Sequence, residues 1–306
     1  MSKENEPLVT AVITTYKRAA NILERALKSI INQTYKNIEI IIVNDCPEDK
    51  KINNDIKEML EKYLSYNIKY IVVEKNGGAC KARNIALKNS NGMYIAFLDD
   101  DDEWLPEKIE LQVSKMESDN SCAVVYCNFI SKIVEENIEQ IRFSGHQPEG
   151  NIYNILLKRN IIGSCSFPLI RTNVLLDVNG FREDMPALQD WELYIRIARK
   201  HNVLYVEEPC VRYYFYKGER LSRNHNNRII AYEKILREIK GDLSLDRDSA
   251  YEFYMMGVYF YSLAKEVKNS FKYYFKAIKL KKLSFVNNSF QLLKMIVRFF
   301  KESKKI

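Results

Sequence analysis

The sequence predicts an α/β fold with a mostly parallel sheet flanked by helices, followed by a helical extension. Strand patterns alternate with helical patterns four times in the first hundred residues. The strand patterns are near-continuous apolar runs, which are typical of a parallel sheet covered on both faces. From about residue 228 onward only helical periodicity is found.

The predicted elements follow from runs of β-branched and aromatic residues for strands, and from i, i+3, i+4 apolar spacing for helices. In the N-terminal part, strands are expected at residues 8–15, 38–43, 68–73 and 93–98, and helices at 21–32, 53–64 and 77–89. Right-handed crossovers place the ends of these four strands at one edge of the sheet.

The middle of the chain is mixed in character. It predicts a strand at 123–126, a hairpin or loop excursion at 131–150, a helix at 188–199, a strand at 210–216 and a polar loop at 217–227. The domain boundary is therefore placed between a first domain at 1–227 and a basic helical extension at 228–306. Residues 251–263 and 270–278 of the extension predict a helical hairpin.

Composition is that of an ordinary globular protein, with 46% hydrophobic and 28% charged residues. The polar start has no apolar signal region, and no apolar stretch reaches about 18 residues, so neither secretion nor a spanning helix is predicted. Six scattered cysteines and three scattered histidines form no CxxC or zinc pattern. The cysteines are interpreted as reduced, mostly buried thiols of a cytoplasmic protein.

The net charge of +7 belongs to the C-terminal end. Residues 265–306 carry 12 Lys and Arg against two Glu, whereas residues 1–264 carry 35 basic and 38 acidic residues. A basic tail predicts an anionic partner surface, either membrane or nucleic acid. Residues 285–300 predict a basic amphipathic helix suited to a membrane interface, and the alternative is that its apolar face packs on the protein.

Four consecutive aspartates, Asp99 to Asp102, follow the fourth strand. Carboxylates this close are costly unless a cation lies among them, and oxygen ligands suit Mg²⁺ or Mn²⁺. Open α/β sheets also bind ligands at strand ends. The alternative is a solvated acidic turn, and Asp102 itself is predicted to cap a helix before residues 104–108.

Five segments carry a family resemblance: residues 12–18, 33–35, 40–45, 76–84 and 97–102. In order and spacing they resemble the inverting family 2 glycosyltransferases with a GT-A fold, of the bacterial surface-polysaccharide type. The resemblance covers about residues 7–225. It departs at Thr15 and at Cys46-Pro47 without removing a side chain that the chemistry needs. It implies a Rossmann-like, nucleotide-sugar-binding half at 7–103 and an acceptor and catalytic half at 104–227.

The resemblance implies a donor site at the sheet edge. Asp45 would accept a hydrogen bond from the nucleotide base, typically uracil, since a carboxylate recognises a ring N–H. The other implied donor-binding residues are Thr14, Thr15, Tyr16, Arg18, Gly78, Arg83, Asp99 and Asp100. Arg83 would face the nucleotide or its diphosphate, and the alternative is a surface helix position.

The aspartates overlie the Asp-x-Asp motif of the family, which implies Mn²⁺ or Mg²⁺ as cofactor. Asp101 is expected to ligate the metal most directly. Asp99, the second expected metal residue, or Asp100 would hold the ribose or the metal through water.

Asp190 lies in a second acidic segment, residues 188–193, which resembles the motif whose aspartate is the general base. An acceptor hydroxyl must lose a proton as it attacks the anomeric carbon, and direct displacement then inverts that centre. Glu192 is given a supporting role. The alternative reading makes Asp190 an N-cap and Glu192 a first-turn residue that offsets the helix dipole.

The polar loop at 217–227 is a candidate lid over the bound donor. Four of its residues are candidates to contact the diphosphate: Lys217, Arg220, Arg223 and His225. Each is equally compatible with a solvated loop position.

The predicted function is metal-dependent, inverting transfer from a UDP-sugar to a glycan hydroxyl, with a lipid-linked acceptor, in bacterial surface polysaccharide synthesis. A cytoplasmic enzyme, peripheral at the inner face of the membrane, is expected, with no nucleic acid partner. A nucleotidyltransferase is disfavoured because residues 14–18 lack its Gly-rich loop, and a dehydrogenase because no GxGxxG follows a strand. The remaining rival is a non-catalytic interaction protein that retains the fold.

Overall fold

The computed structural model describes residues 6–143, 145–216 and 224–280, together with Leu293 and Val297. Apart from these two residues, the helix predicted at 285–300 lies outside the described residues. The chain divides into two compact units. Unit 1 comprises Met1–Ile152, Ile162–Glu183 and Arg196–Lys217, and unit 2 comprises Tyr153–Ile161, Asp184–Ile195 and Gly218–Ile306.

Unit 1 contains the sheet and the helices that cover it. Its strands within the described residues are β1 (Val9–Thr15), β2 (Ile38–Asn44), β3 (Ile68–Val72), β4 (Tyr94–Asp99), β5 (Glu103–Trp104), β6 (Cys122–Ile133), β7 (Ile138–Ile141), β8 (Leu169–Arg171) and β9 (Asn202–Phe215). Its helices are α1 (Ala20–Ile31), α2 (Lys50–Glu61), α3 (Ala79–Lys88), α4 (Lys108–Glu117) and α6 (Thr172–Asp177).

The strand order of the sheet is β3-β2-β1-β4-β8-β6-β9-β5, with β7 paired to β6. The first four strands in this order are parallel, and β8 runs antiparallel to both of its neighbours. Thr14 lies opposite Asp99 on one side, and Thr15 lies opposite Asn44 on the other. The ends of β1, β2 and β4 therefore lie level at one edge, as the sequence predicted.

The core of unit 1 forms where the inward faces of the parallel strands meet the apolar stripes of the helices. Ala11 and Ile13 of β1 belong to the same buried cluster as Leu27 and Ile30 of α1. Burial of each large aliphatic side chain contributes about 1.5–3 kcal/mol before entropic costs. This packing fixes the depth of β1, and with it the position of the residues that follow the strand.

Asp102 does not cap a helix, so that prediction is wrong. Residues 103–104 form β5, which pairs with Val211 and Arg212 of β9, and α4 begins only at Lys108. The sheet pairing outweighs the local helix signal. Asp102 is 1% exposed, and its carboxylate accepts hydrogen bonds from the Ser166 hydroxyl at 2.7 Å and from the Tyr214 amide at 3.2 Å.

Unit 2 is helical and built around aromatic side chains. It contains α5 (Tyr153–Leu156), the start of α7 (Gln189–Ala198), α8 (His225–Leu245), α9 (Arg247–Leu263) and α10 (Val267–Leu280). Tyr232 of α8 stacks on Phe253 of α9 with ring centroids 4.7 Å apart, and Glu233 accepts hydrogen bonds from the Tyr261 and Tyr273 hydroxyls. The hairpin predicted in this region is present as α9 and α10.

Within the described part of the chain, no helix combines the length and apolar character that crossing a bilayer requires.

Lys108 is a fully buried cation in the core of unit 1. Its Nζ donates a hydrogen bond to Gln112 Oε1 at 2.5 Å and lies 4.4 Å from the centre of the Trp104 ring. Burial lowers the pKa of Lys108 from 10.5 to about 8. The charged form of Lys108 therefore costs free energy, because burial has removed the hydration of its ammonium group.

The lowered pKa of Lys108 predicts a specific pH dependence of stability. Between pH 8 and 10.5 the unfolded chain binds more protons at this site, so the free energy of unfolding rises with pH there. Compared with Lys108→Met, the wild-type chain should gain about 3 kcal/mol across this window. Urea unfolding of both proteins from pH 7.5 to 10.5 measures the difference, and parallel pH profiles would contradict it.

Candidate functional site

The end of β1 supplies the first residues of the candidate site. Thr15 is buried, and its hydroxyl donates to Asp100 Oδ2 at 2.7 Å. Thr14 is half-buried beside it, while Tyr16 is 47% exposed. Lys17 follows with a φ of 51°, a left-handed conformation that costs an ordinary residue roughly 1–2 kcal/mol. Such strain is often found at functional turns.

Arg18 connects β1 to the aspartates that follow β4. Its Nε lies 2.9 Å from Asp100 Oδ1, and its Nη2 lies 2.9 Å from the same oxygen and 3.1 Å from Asp101 Oδ2. Arg25 donates instead to the backbone oxygen of Asp101 at 2.6 Å. Burial raises the pKa of the Asp101 carboxyl, the Arg18 guanidinium lowers it, and Asp100 and Asp99 raise it further.

Arg83 holds the first aspartate of the cluster from α3. Its Nη2 donates to Asp99 Oδ1 at 2.8 Å, and Ser164 donates to Asp99 Oδ2 at 3.0 Å. Arg83 is only 5% exposed, so the alternative of a surface helix position is wrong. Its buried Nε and Nη1 have no hydrogen-bond partner within the described residues. Buried donors of this kind are rare without a ligand or water.

Asp45, just after β2, organises the loop that leads into α3. Its carboxylate accepts hydrogen bonds from the amides of Gly77 at 2.9 Å and Gly78 at 2.7 Å, and from Asn76 Nδ2 at 3.0 Å. Gly78 has a φ of 83°, which only glycine adopts without strain. A carboxylate offers about four acceptor positions, so capacity for one further donor remains.

Asp190 and Glu192 lie in the first turn of α7. Leu188, two residues before Asp190, has a φ of 55°, a second strained turn at a predicted motif. Asn160 Nδ2 of the same unit lies 3.5 Å from Asp190 Oδ2, and Glu192 is 1% exposed. The alternative that Asp190 is the N-cap is wrong, because α7 begins at Gln189, whereas Glu192 does lie in the first turn. The role of Asp190 as a general base stays a prediction.

The remaining predicted contacts come from the loop before α8. His225 is the first residue of α8 and is half-buried. Lys217, Arg220 and Arg223 lie outside the described residues.

Three residues of the cluster were not predicted: Arg25, Ser164 and Ser166. Ser166 donates to Asp102 and accepts from the amide of Asp99. The serines lie in a segment without periodicity, and they reach the aspartates because the adjoining β8 pairs with β4. Arg18 precedes α1, which begins at Ala20, so helical spacing does not relate it to Arg25, and no signal in the sequence indicated the Arg25 contact.

The donor chemistry at the cluster fits a hard divalent cation, because Asp99, Asp100 and Asp101 offer carboxylate oxygens. In their present arrangement these oxygens face Arg83 and Arg18. Accordingly, across the ranges that the structure describes, no group of three or more His, Cys, Asp or Glu side chains is placed to hold a metal ion.

Residues 10–178 match the family described as "Glycosyl transferase family 2". The putative teichuronic acid biosynthesis glycosyltransferase TuaG of Bacillus subtilis is 30% identical over 223 residues, covering 72% of this chain and 83% of TuaG. The Escherichia coli UDP-Glc:alpha-D-GlcNAc-diphosphoundecaprenol beta-1,3-glucosyltransferase WfgD is 32% identical over 196 residues, covering 64% of this chain and 72% of WfgD.

Other relatives are longer than this chain. An uncharacterized glycosyltransferase of Rickettsia felis is 30% identical over 260 residues, which cover 81% of this chain but 41% of that protein. A homologue from Rickettsia conorii is 32% identical over 231 residues, 72% of this chain and 36% of its own length. The chain thus spans about two fifths of the length of these relatives.

Solved structures share the fold. Staphylococcus aureus TarS 1–349 in complex with UDP-GlcNAc superposes with a TM-score of 0.59 at 18% identity, over 86% of this chain and 89% of that one. The mannosyltransferase PcManGT of Pyrobaculum calidifontis, in complex with GDP-Man and Mn²⁺, gives a TM-score of 0.61 at 14% identity. The match covers 99% of this chain and 89% of PcManGT. The predicted α/β, GT-A-type fold with C-terminal helices is confirmed.

Asp45→Asn tests the organisation of the loop before α3. One acceptor oxygen becomes an NH₂ group that opposes the donors of Asn76, Gly77 or Gly78. We expect a loss of about 1–3 kcal/mol of stability from the unsatisfied donors and at least about tenfold weaker UDP binding.

Thermal unfolding and titration calorimetry measure both effects of Asp45→Asn. Glu48→Gln is the matched control, because Glu48 is an exposed carboxylate three residues away whose contact with Lys17 is 4.0 Å long. Equal behaviour of the two variants would contradict the role given to Asp45.

Proposed function

Because the chain belongs to glycosyl transferase family 2, we propose that it transfers a sugar from a UDP-sugar to a hydroxyl group of a glycan acceptor, with inversion at the anomeric carbon. The observation that carries the proposal is the convergence of Arg18 and Arg83 with Asp99, Asp100 and Asp101 at one sheet edge. A nucleoside diphosphate needs cationic donors, and a divalent cation needs carboxylate oxygens.

The donor binds at the ends of β1, β2 and β4. Arg83 offers to the anionic part of the donor its buried Nε and Nη1 groups, which have no hydrogen-bond partner among the described residues. Asp45 keeps its loop closed and uses its remaining acceptor capacity for a base N–H. The UDP specificity is supported by WfgD, whose name gives a UDP-sugar donor, and by the UDP-GlcNAc complex of TarS.

The cofactor of the proposed reaction is Mn²⁺ or Mg²⁺. Asp101 would hold it most directly, with Asp99 as the second ligand or a partner through water. When bound, such an ion stabilises negative charge on a departing diphosphate. The proposal is supported by the oxygen-rich donor set that Asp99, Asp100 and Asp101 provide.

Asp190 is the proposed general base. Its carboxylate accepts the proton of the acceptor hydroxyl as the oxygen attacks the anomeric carbon, while the bond from that carbon to the diphosphate oxygen breaks. Glu192 supports the same helix turn. The strained Leu188 backbone at the entrance to α7 is consistent with a functional turn.

The acceptor of the proposed reaction is lipid-linked, in bacterial surface polysaccharide synthesis on the cytoplasmic side of the membrane. WfgD supports this acceptor class, since its name specifies a diphosphoundecaprenol substrate, and TuaG supports the polysaccharide context. The assignment to this chain is part of the proposal.

An anionic membrane surface is the proposed partner of the C-terminal part. The tail at 285–306 lies mainly outside the described residues, but α10 already has the required character. Lys268, Lys272, Phe275 and Lys279 are exposed, with Phe275 at 53%. Their i, i+4, i+7, i+11 spacing places them on one helix face, and lysines with an aromatic residue suit anionic lipid headgroups.

Donor hydrolysis and transfer assays test the catalytic proposal. UDP-, GDP- and dTDP-sugars are compared in Mn²⁺ and in EDTA, with a lipid-linked glycan acceptor. We expect metal-dependent UDP release from one donor, and a loss of about 10²–10⁴-fold in kcat for Asp190→Asn with UDP affinity unchanged. Asp177→Asn is the control, because it makes the same change at an exposed carboxylate, the last residue of α6. A protein that binds no nucleotide in Mn²⁺ would be the interaction protein instead.

Vesicle binding tests the proposed membrane surface. The combined change Lys268→Gln, Lys272→Gln and Lys279→Gln should lower the affinity for phosphatidylglycerol vesicles at least about tenfold. The reason is that each lysine near an anionic surface contributes about 1 kcal/mol of binding free energy. Lys51→Gln with Lys57→Gln, at exposed positions of α2, should change it little. Co-sedimentation with anionic and with phosphatidylcholine vesicles gives the readout. Equal binding to both vesicle types would contradict the proposal.

A further inference from the structure

We propose that Arg18 is an internal counter-cation of the aspartate cluster, which holds Asp101 when no divalent cation is bound and must release it for one to bind. The inference rests on the proposed metal-dependent function and adds a specific role to Arg18. It is drawn from the contacts of Arg18 with Asp100 and Asp101 and from those of its neighbour Arg25.

Arg18 occupies carboxylate oxygens that a metal would use. Its Nη2 atom alone lies 2.9 Å from Asp100 Oδ1 and 3.1 Å from Asp101 Oδ2, between the two side chains. Asp99 is turned toward Arg83 instead, at 2.8 Å. The three carboxylates are thus drawn to two guanidinium groups and share no common point where an ion would be held.

A divalent cation and Arg18 compete for the same charge. A cation bound to the same carboxylate oxygens would lie close to the Arg18 guanidinium. The two positive charges would repel one another, and the repulsion is strong where burial reduces screening. The Asp100 side chain is 8% exposed, so water screens the charges only weakly there, while the Asp101 side chain, at 30%, remains accessible to an ion. An ion that ligates Asp101 therefore has to displace the Arg18 guanidinium from it.

Movement of Arg18 would release a carboxylate oxygen of Asp101, whereas movement of Arg25 would not. The Arg18 side chain is 33% exposed, and its planar fork matches a phosphate as well as it matches a carboxylate. A donor diphosphate thus offers Arg18 a second anionic partner and leaves Asp101 for the metal. Arg25 contacts the backbone oxygen of Asp101 and the Glu103 carboxylate at 3.2 Å, so its departure would free no Asp101 carboxylate oxygen.

This arrangement makes metal and nucleotide binding cooperative. Binding of either ligand moves Arg18 away from Asp101 and so favours binding of the other ligand. Such coupling is reciprocal. The nucleotide-free protein should accordingly bind Mn²⁺ weakly, and removal of the Arg18 guanidinium should strengthen that binding.

The test is a Mn²⁺ titration of the nucleotide-free full chain, with free Mn²⁺ measured by electron paramagnetic resonance. Arg18→Gln should bind Mn²⁺ about tenfold or more tighter than the wild-type protein, within the usual range of coupling. Arg25→Gln removes the same charge nearby without freeing a carboxylate oxygen of Asp101, so it should give a clearly smaller gain. Asp101→Asn added to Arg18→Gln should abolish the gain.

Several results would overturn the role of Arg18. These are Mn²⁺ binding by Arg18→Gln that is equal to or weaker than wild type, a gain no larger than that of Arg25→Gln, or no Mn²⁺ binding by any variant. Thermal unfolding confirms that each variant is folded. If Arg18→Gln is not, Arg18→Lys replaces it and should give an intermediate gain, since a lysine makes no fork contact.

The failure of this inference is separable from that of the proposed function. Sugar transfer that proceeds fully in EDTA would refute metal dependence, whatever the Mn²⁺ titration gives. Metal-dependent transfer together with unchanged Mn²⁺ affinity in Arg18→Gln would refute the counter-cation alone.

Discussion

The mutual repulsion of four adjacent carboxylates at the end of β4 is the constraint on which the site depends. A strand end fixes the backbone, so the four side chains cannot move far apart. Each must be compensated where it stands. The structure does so with two arginines and three hydroxyl groups, from Thr15, Arg18, Arg83, Ser164 and Ser166.

The compensation is uneven, and that unevenness separates structural from functional carboxylates. Asp102 is 1% exposed and bonded to Ser166 and the Tyr214 amide, and burial raises its pKa well above the usual range. It acts as part of the fold. Asp101 lies at the other extreme, because its carboxylate is partly exposed and Arg18, which forms an ion pair with it, is partly exposed as well. Exchange of partners is easiest there.

The sequence predicted what depends on periodicity and order along the chain. The parallel strands and the edge that collects Asp45, Arg83 and Asp99 follow from the apolar patterns and the handedness of crossovers. Two-residue β5 and three-residue β8 are too short for a periodic signal, and both form through long-range pairing. The wrong prediction for Asp102 has the same cause. The residues around it suggested the start of a helix, but the next two residues form β5, which is held by pairing with the distant β9.

The sequence did not predict which groups the side chains of the site contact. Asp45 was predicted to face a nucleotide base, yet three of its contacts are with the loop before α3. Arg83 was compatible with a surface position, and burial is what distinguishes the two cases. A motif gives the residue types at a site, whereas partners depend on where the rest of the chain brings its donors.

The serines at the cluster are held in turn by the polar core beneath it. Gln112 Nε2 donates to the backbone oxygens of Val125 and Phe167, both at 2.8 Å, and Lys108 bonds to the Oε1 atom of the same amide. Trp104 Nε1 donates to the backbone oxygen of Ser166 at 3.1 Å. The segment that carries Ser166 is therefore fixed from below by a buried network. In a low-dielectric interior such a network is rigid only when every member is satisfied. The cost of burying the Lys108 ammonium is thus linked to the placement of the hydroxyl groups that compensate Asp99 and Asp102.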